Sequence, residues 1–194
     1  METNSTMKKE SNENSIRNTK VIAIIGLMTA LTCIMGPLSL PLPFSLVPIS
    51  LTNLAIYFTI YILGTKRGTI SYIIYLLIGF AGLPVFSAFT SGPAKLLGPT
   101  GGYLIGFIPM AVIAGLFIEK FPKKVAIHFV GMVLGTIVCY VFGTMWLAHQ
   151  ANMSFSAALA AGVIPFIPGD ICKIIIAMIA APQIKKPLAK AGLI

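Results

Sequence analysis

Residues 125–149, VAIHFVGMVLGTIVCYVFGTMWLAH, decide the fold because they contain no Lys, Arg, Asp or Glu. A helix of about 20 apolar residues crosses the roughly 30 Å hydrocarbon core of a bilayer. Similar apolar runs occupy residues 21–36, 49–64, 68–83, 101–118 and 168–183. The chain has 57% hydrophobic residues, 10% charged residues and a mean hydropathy of +0.93, which excludes a soluble domain. The sequence therefore predicts an all-α integral membrane protein with six transmembrane helices.

The N-terminal segment 1–20, METNSTMKKESNENSIRNTK, differs from the rest of the chain because it is polar and charged. It offers too little apolar surface to offset the entropy lost on ordering. We expect a mostly disordered cytoplasmic tail, followed by one six-helix membrane domain over residues 21–194.

The basic residues predict the orientation, since short connections rich in Lys and Arg remain cytoplasmic. Twelve of the fourteen lie in the tail, in two turns and at the C-terminus: Lys8, Lys9, Arg17, Lys20, Lys66, Arg67, Lys120, Lys123, Lys124, Lys185, Lys186 and Lys190. The connections 37–48, 84–100 and 150–167 contain a single basic residue, Lys95. Both termini should therefore be cytoplasmic, and these three long connections should face outward and form a pocket. Because the net charge of +9 is spread between apolar runs, we expect no nucleic-acid partner.

The outward connections carry unusual backbone signals. Residues 37–48 contain four prolines and no charge, which fits either a stiff lid or an apolar linker on the bilayer surface. Residues 82–103 are rich in Gly and Pro, which fits a loop that folds back toward a ligand or a mobile surface loop. Within them, Gly98–Gly102 opens a helix whose first amides could bind an oxyanion.

Asp170 and Lys173, at the start of the last apolar run, carry the most information about a site. An ionised side chain at membrane depth is costly unless it has a partner or a polar cavity. Spacing of three places both on one helical face, where they could neutralise one another or line a pocket that binds a ligand. Asn53, near the start of the second run, fits either a pocket donor or a helix cap. Tyr140 and Trp146 are interpreted as membrane-interface and packing residues.

Small residues recur along the first apolar run, at Ala23, Gly26 and Ala30. Such a stripe allows close packing of helices, either within the bundle or against a second membrane subunit. The three cysteines lie in separate apolar stretches without the spacing of a metal site, so no metal is expected.

Three segments carry a family resemblance: Gly82–Phe86 (GLPVF), Leu97–Phe107 (LGPTGGYLIGF) and Pro165–Lys173 (PFIPGDICK). Together they resemble the biotin-specific S components, the BioY family, of energy-coupling factor (ECF) transporters. The similarity runs over nearly the whole chain after the tail. It implies a six-helix subunit of a prokaryotic cell membrane that binds biotin at the outer side. It also implies delivery inward with an energising module made of a transmembrane T subunit and two ATPases.

Further consequences of the resemblance concern individual residues. The protein would be no enzyme and would need no cofactor, because biotin is the transported ligand. Ala23, Gly26 and Ala30 would form the face that docks on the T subunit. Asp170 would accept hydrogen bonds from the ureido N–H groups, and Lys173 would assist there or attract the valerate carboxylate. The remaining expected substrate-binding residues are Phe86 and Tyr103 as apolar walls, Thr90 at a position where Ser or Asn is usual, Lys95 as a second cation, Gly101 and Asn53.

The sequence also departs from the family pattern, so a changed pocket or a related ligand stays open. Residues 89–95 are less glycine-rich than usual, and Thr52 stands where Gln is common. A membrane enzyme would need a nucleophile beside a base, and no such arrangement is found. A stand-alone carrier or channel is the other alternative, which solute uptake into vesicles lacking every other subunit would reveal.

Overall fold

The computed structural model describes residues 2–43 and 45–194, with side chains from residue 18 onward. Its helices are α1 (Glu2–Met35), α2 (Thr52–Phe80), α3 (Pro93–Leu97), α4 (Gly101–Lys120), α5 (Val125–Gln150), α6 (Phe155–Gly162) and α7 (Ile167–Lys190). The strands β1 (Ser39–Leu40) and β2 (Ile49–Ser50) form a short antiparallel pair. Four helices of the described chain are long and apolar enough to cross a membrane: the Asn18–Met35 part of α1, α4, α5 and α7. The prediction of an all-helical membrane protein is confirmed.

Helix α2 contains a chain reversal at Gly64, whose φ of 80° and ψ of 178° only glycine adopts readily. A Cβ built on Gly68 would lie 3.0 Å from the Cα of Ile60, although eight residues of straight helix would span about 12 Å. The two arms, 52–63 and 65–80, therefore run antiparallel. They correspond to the second and third apolar runs of the sequence, and each is too short for a perpendicular crossing.

Helix α1 begins at Glu2, so it includes the polar segment for which the sequence predicts a mostly disordered tail. Once an apolar helix has formed, each added residue gains a hydrogen bond without a new nucleation step. The helix can therefore extend into a polar segment that would not form one alone. The side chains of the tail residues Lys8, Lys9 and Arg17 lie outside the described part of the chain.

The bundle is apolar on its outside as well as inside. Buried residues such as Ile60, Met110 and Leu147 fill the centre. Met145 and Ile179 nevertheless expose 62% and 61% of their surface on the outer faces of α5 and α7. A helix that is apolar all round belongs in lipid, so these faces fit a bilayer and not water.

The two ends of the bundle differ in character. At one end Lys20 Nζ donates to the Gly192 carbonyl oxygen at 3.3 Å, and Ile24 packs with Leu63 beside the C-terminal residues. Glu119 Oε1 accepts from the Thr65 amide there at 2.8 Å. We call this the basic end, because the start of the apolar part of α1, the Gly64 turn, the α4–α5 turn and the C-terminus meet there. The opposite end, formed by residues 36–43, 45–51, 81–100 and 151–166, is called the loop end.

Hydrogen bonds join the connections at the loop end to one another. The Ala88 amide donates to Ser39 Oγ at 2.8 Å and to the Pro37 carbonyl at 3.2 Å. Trp146 Nε1 donates to the Gly98 carbonyl at 2.8 Å, which fixes the start of α4 against α5. The long connections are therefore ordered parts of the fold that can position a site.

Candidate functional site

A cavity that opens at the loop end lies between α2, α4, α5 and α7. Its apolar wall includes Val47, Phe107, Met110 and Phe166. Its polar wall includes Ser50, Asn53, Tyr140, Asp170 and Lys173. The cavity therefore combines a mostly apolar lining with a small polar cluster, as ligand sites usually do.

The carboxylate of Asp170 is the centre of the polar cluster. Its Oδ1 accepts from Asn53 Nδ2 at 2.8 Å and from Lys173 Nζ at 3.0 Å. Its Oδ2 accepts from the Tyr140 hydroxyl at 2.6 Å. Asp170 is only 7% exposed, and burying a carboxylate is costly unless it is paired and hydrogen-bonded. Donors from α2, α5 and α7 meet this requirement together.

The ammonium of Lys173 joins the cluster to the β1–β2 hairpin. Besides Asp170 it donates to the Ser50 carbonyl oxygen at 2.7 Å, at the end of β2. An ammonium has three donors, so one donor remains beyond these two hydrogen bonds. Lys173 therefore holds the hairpin over the cavity and still has a donor to offer.

The start of α7 explains why Asp170 lies where it does. Pro168 occupies the first turn of the helix, a position where its missing N–H costs nothing. Asp170 is the acidic residue of the same turn, where the positive end of the helix dipole favours a carboxylate. The sequence thus determines both where α7 begins and the negative charge in its first turn.

The apolar part of the cavity is held in shape by buried hydroxyl contacts. The Tyr103 hydroxyl donates to the Gly162 carbonyl at 2.9 Å, which links α4 to α6. Deeper in the bundle the Tyr57 and Thr136 hydroxyls lie 2.6 Å apart. The hydroxyls of Tyr103 and Tyr57 therefore both have hydrogen-bond partners, and the apolar parts of the cavity wall stay in place.

The structure brings together four of the predicted site residues: Asn53, Tyr103, Asp170 and Lys173 all line the cavity. Asn53 donates to Asp170, and its Oδ1 accepts from the amide of the next residue, Leu54, at 3.1 Å. Leu51 precedes the first residue of α2 and no side chain caps the helix there, so the helix-cap interpretation of Asn53 is wrong. Asp170 and Lys173 pair with one another and also line the cavity, while ligand binding by the pair stays a prediction.

The other four predicted site residues are not among those that line the cavity. Phe86 is completely buried and meets the Tyr75 ring edge-on, with centroids 5.6 Å apart, so it anchors its loop in the core. The Thr90 hydroxyl donates to the Ser87 carbonyl at 2.8 Å, and Ser87 faces the cavity instead. Gly101 packs against Leu96. Lys95 lies in α3, where partial burial lowers the pKa of its ammonium from the ordinary value.

Sequence reasoning missed Tyr140, which it interpreted as a membrane-interface residue. A signal was present, because Thr136 and Tyr140 are four residues apart in the middle of a mostly apolar helix. That spacing places two hydroxyl groups on one face, which points to a polar cavity beside α5.

The stripe of Ala23, Gly26 and Ala30 lies on the outer surface of α1, where all three residues are exposed. A Cβ on Gly26 would meet no atom within 4 Å. Ile22 and Leu27 beside the stripe are 69% and 58% exposed. Packing within the described bundle therefore does not account for the small residues.

Known proteins resemble this chain in sequence over most of its length. A model of the BioY family matches residues 5–190. The chain belongs to the BioY family. It is 37% identical over 169 residues to the probable biotin transporter BioY of Pyrococcus horikoshii, covering 86% of this chain and 96% of that protein. The biotin transporter BioY of Thermotoga maritima is 36% identical over 161 residues, covering 83% and 93%.

Structural similarity agrees with the family match. The crystal structure at 2.1 Å of the S-component for biotin from an ECF-type ABC transporter matches this fold with a TM-score of 0.81. The two chains are 32% identical, and the match covers 87% of this chain and 92% of the other. The BioY resemblance carried by residues 82–86, 97–107 and 165–173 is thereby confirmed.

Proposed function

We propose that this protein is the biotin-binding membrane subunit of an ECF-type uptake transporter. It binds biotin at the outer side of the membrane and delivers it inward with an ATP-driven module. Support comes from the relatives quoted above, which are named biotin transporters, and from a solved S-component for biotin with the same fold. The expectation of a transport subunit and not an enzyme is confirmed by the same relationships.

The buried Asp170 carboxylate beside an apolar cavity carries the proposal within the structure. Biotin presents two ureido N–H donors on a compact ring system, followed by an apolar valerate chain that ends in a carboxylate. A carboxylate acts only as an acceptor, so Asp170 suits the ureido donors. Tyr103, Phe107 and Phe166 suit the apolar rings and chain. Lys173 and Asn53 position Asp170 and complete the polar end.

The four remaining predicted residues act indirectly in this proposal. Phe86 and Thr90 hold the second outer loop, and Gly101 fixes the start of α4. Lys95 adds positive charge beside the loop end, which favours the approach of an anion.

The proposed topology has six crossings with both termini in the cytoplasm, and residues 21–194 form the membrane domain. The two arms of α2, joined with α1, α4, α5 and α7, provide six helical segments of alternating direction. The described basic side chains near the Gly64 turn, the α4–α5 turn and the C-terminus all belong to one end of the bundle. Because such residues remain cytoplasmic, the loop end with its cavity faces outward. We assign the protein to the cytoplasmic membrane.

The proposed partners are a transmembrane T subunit and two ATPases. The exposed stripe of Ala23, Gly26 and Ala30 provides a flat surface on which a partner helix can pack closely in lipid. The protein needs no cofactor of its own, since the ATPases supply the energy. Biotin is the transported ligand.

Isothermal titration of the detergent-purified chain with biotin tests the function directly. Thiamine and riboflavin serve as ligand controls, and Asp170→Asn tests the site while preserving its shape. We expect tight binding of biotin alone, weakened at least about tenfold in the variant because a hydrogen bond to a charged group is lost. Biotin binding that is unaffected by Asp170→Asn would remove Asp170 from the site, and binding of another vitamin would change the ligand.

A further inference from the structure

The basic end of the bundle carries positive charge that the described side chains do not neutralise. Exposed basic side chains gather there: Lys20, Lys66, Arg67, Lys120, Lys123, Lys124, Lys185, Lys186 and Lys190. Among the described side chains, Glu119 is the carboxylate of this end, and its Oε1 accepts from the Thr65 amide. The described ion pair, Asp170–Lys173, lies at the loop end. The basic end therefore presents a net positive surface to its surroundings.

A groove at the basic end lies between α1 and the second arm of α2. Its walls are formed by Asn18, Val21, Ile22 and Arg67. Farther along the two helices, Thr29 Oγ1 and Ser71 Oγ lie 2.9 Å apart, which holds the helices side by side. Arg67 is exposed, and its guanidinium has no hydrogen bond or ion pair with the other side chains that the structure describes. The guanidinium is therefore available to an anion.

The position of the groove corresponds to the level of lipid headgroups. Asn18 begins the part of α1 that is long and apolar enough to cross a membrane. The second arm of α2, which carries Arg67, begins directly after the chain reversal at Gly64. Both walls of the groove therefore lie where the hydrocarbon core of a bilayer meets the phosphates of its lipids.

The order of side chains along both walls matches a phospholipid. On α1, Asn18 is followed one turn later by Ile22, which is 69% exposed. On the second arm of α2, Arg67 is followed on the same face by Ile70 and Ile74, which are also exposed. Because both segments begin at the basic end, each wall is polar at headgroup level and apolar toward the bilayer centre. A free phosphate would contact only the polar level, whereas a phospholipid fits both.

The chemistry of the polar level selects a phosphate with net negative charge around it. The planar guanidinium of Arg67 offers parallel donors to two phosphate oxygens, and the Asn18 amide can donate as well. The neighbouring Lys66 and Lys20 would repel the cationic headgroup of a zwitterionic lipid. An anionic phospholipid carries no such cation.

We propose that this groove binds an anionic phospholipid, with its phosphate at Arg67 and Asn18 and its acyl chains along Ile22 and Ile70. Basic grooves between membrane helices on the cytoplasmic side suit anionic headgroups. With the topology proposed above, the lipid belongs to the cytoplasmic leaflet. The alternative is that the basic residues only orient the chain in the membrane and bind no lipid selectively.

Native mass spectrometry of the full-length chain in detergent tests the proposal. The chain is titrated with phosphatidylglycerol or, as the zwitterionic probe, with phosphatidylcholine that has the same acyl chains. The wild type should bind phosphatidylglycerol at least about fivefold more tightly, and Arg67→Gln should lose this preference. Asn18→Ala, on the opposite wall, should weaken phosphatidylglycerol binding about twofold or more.

The matched control is Lys66→Gln, which removes an equal charge from the neighbouring exposed residue. Lys66 is not among the residues that line the groove, so this variant should keep the wild-type preference. Equal losses in Lys66→Gln and Arg67→Gln would indicate attraction by the whole basic surface and would overturn the proposal. A wild type without any preference for phosphatidylglycerol would overturn it as well and leave the basic residues with orientation alone.

Inorganic phosphate distinguishes the two sources of a phosphate group. A large excess of it should leave phosphatidylglycerol bound, because it offers no acyl chains to Ile22 and Ile70. Complete displacement would identify a site for free anions and overturn the assignment to a lipid. The outcome does not depend on biotin binding, since Arg67 lies outside the cavity at the loop end.

Discussion

The Tyr140 hydroxyl of α5 donates to Asp170 Oδ2 of α7 at 2.6 Å, the shortest of the three hydrogen bonds that the carboxylate accepts. Because α5 and α7 are linked there by a buried and charged acceptor, the bond orients the carboxylate as well as stabilising it. Asn53 and Lys173 both donate to Oδ1, so Tyr140 is the donor that the structure describes for Oδ2.

Tyr140→Phe should therefore weaken biotin binding. Loss of a hydrogen bond to a charged group costs about 1.5 kcal/mol or more, which corresponds to about a tenfold rise in Kd. The measurement is titration of the purified variant with biotin. Tyr61→Phe is the matched control, because its hydroxyl lies 3.0 Å from His128 Nδ1 and it does not line the cavity. Wild-type affinity in Tyr140→Phe would show that Asp170 needs no orientation by α5.

The Asp170–Lys173 pair should respond differently to single and double substitution. Lys173→Met leaves the buried carboxylate without its cation, and breaking such a pair costs about 3–5 kcal/mol. Adding Asp170→Leu removes both charges and should restore most of the stability. Thermal unfolding in detergent should show a lowered Tm for the single variant and a recovered Tm for the double variant.

Biotin titration of the same two variants separates structure from function. Both should lose binding, since the double variant is stable but lacks the acceptor for the ureido group. A double variant that binds biotin would show that Asp170 and Lys173 only neutralise one another and do not bind the ligand. A double variant as unstable as the single one would mean that the cluster itself holds the bundle together.

Much of the fold could be predicted because the bilayer restricts the chain so strongly. Apolar length alone placed both ends of α4 and α5 and the start of α7 within two residues, whereas α7 continues past the predicted end at residue 183 to Lys190. The cost of an ion at membrane depth identified Asp170 and Lys173 without any structure. Helix extension into the polar N-terminal segment could not be predicted, because it depends on continuity with the apolar part of α1.

Side-chain direction in the connections at the loop end could not be predicted from the sequence. Ala88 and Phe89 adopt left-handed backbone angles, with φ of 58° and 56°, which neither residue type suggests. The loop between Phe86 and Thr90 therefore turns so that Phe86 points into the core and Ser87 reaches the cavity. Tyr140 was missed for a related reason, since its role appears only when α7 brings Asp170 beside it.

Gly64→Ala should destabilise the bundle. A φ of 80° with a ψ of 178° is strained for alanine by about 1–3 kcal/mol, and the added Cβ would overlap the Glu119 carboxylate. Unfolding of the variant in detergent should show a lowered Tm. Gly26→Ala is the control, because its Cβ meets open space in a helix where alanine is favoured. Equal Tm values for the two variants would argue against a strained reversal at Gly64.

Gly26→Leu should separate biotin binding from docking on the T subunit. A leucine at this exposed position keeps the helix but projects from the surface on which a partner helix would pack closely. Co-expression with the T subunit and both ATPases, followed by affinity purification, should show loss of the partners. Biotin affinity of the isolated variant should stay within about twofold of wild type, because the residue lies outside the cavity.

The matched control for docking is Ala160→Leu, which enlarges an exposed small residue on α6 instead of α1. It should purify with the partners, since it leaves the Ala23–Ala30 surface unchanged. If Gly26→Leu retains its partners, α1 packs elsewhere in the assembly and another face of the bundle must carry the contact. If both variants lose them, added bulk anywhere on the surface disturbs assembly, and the stripe has no special role.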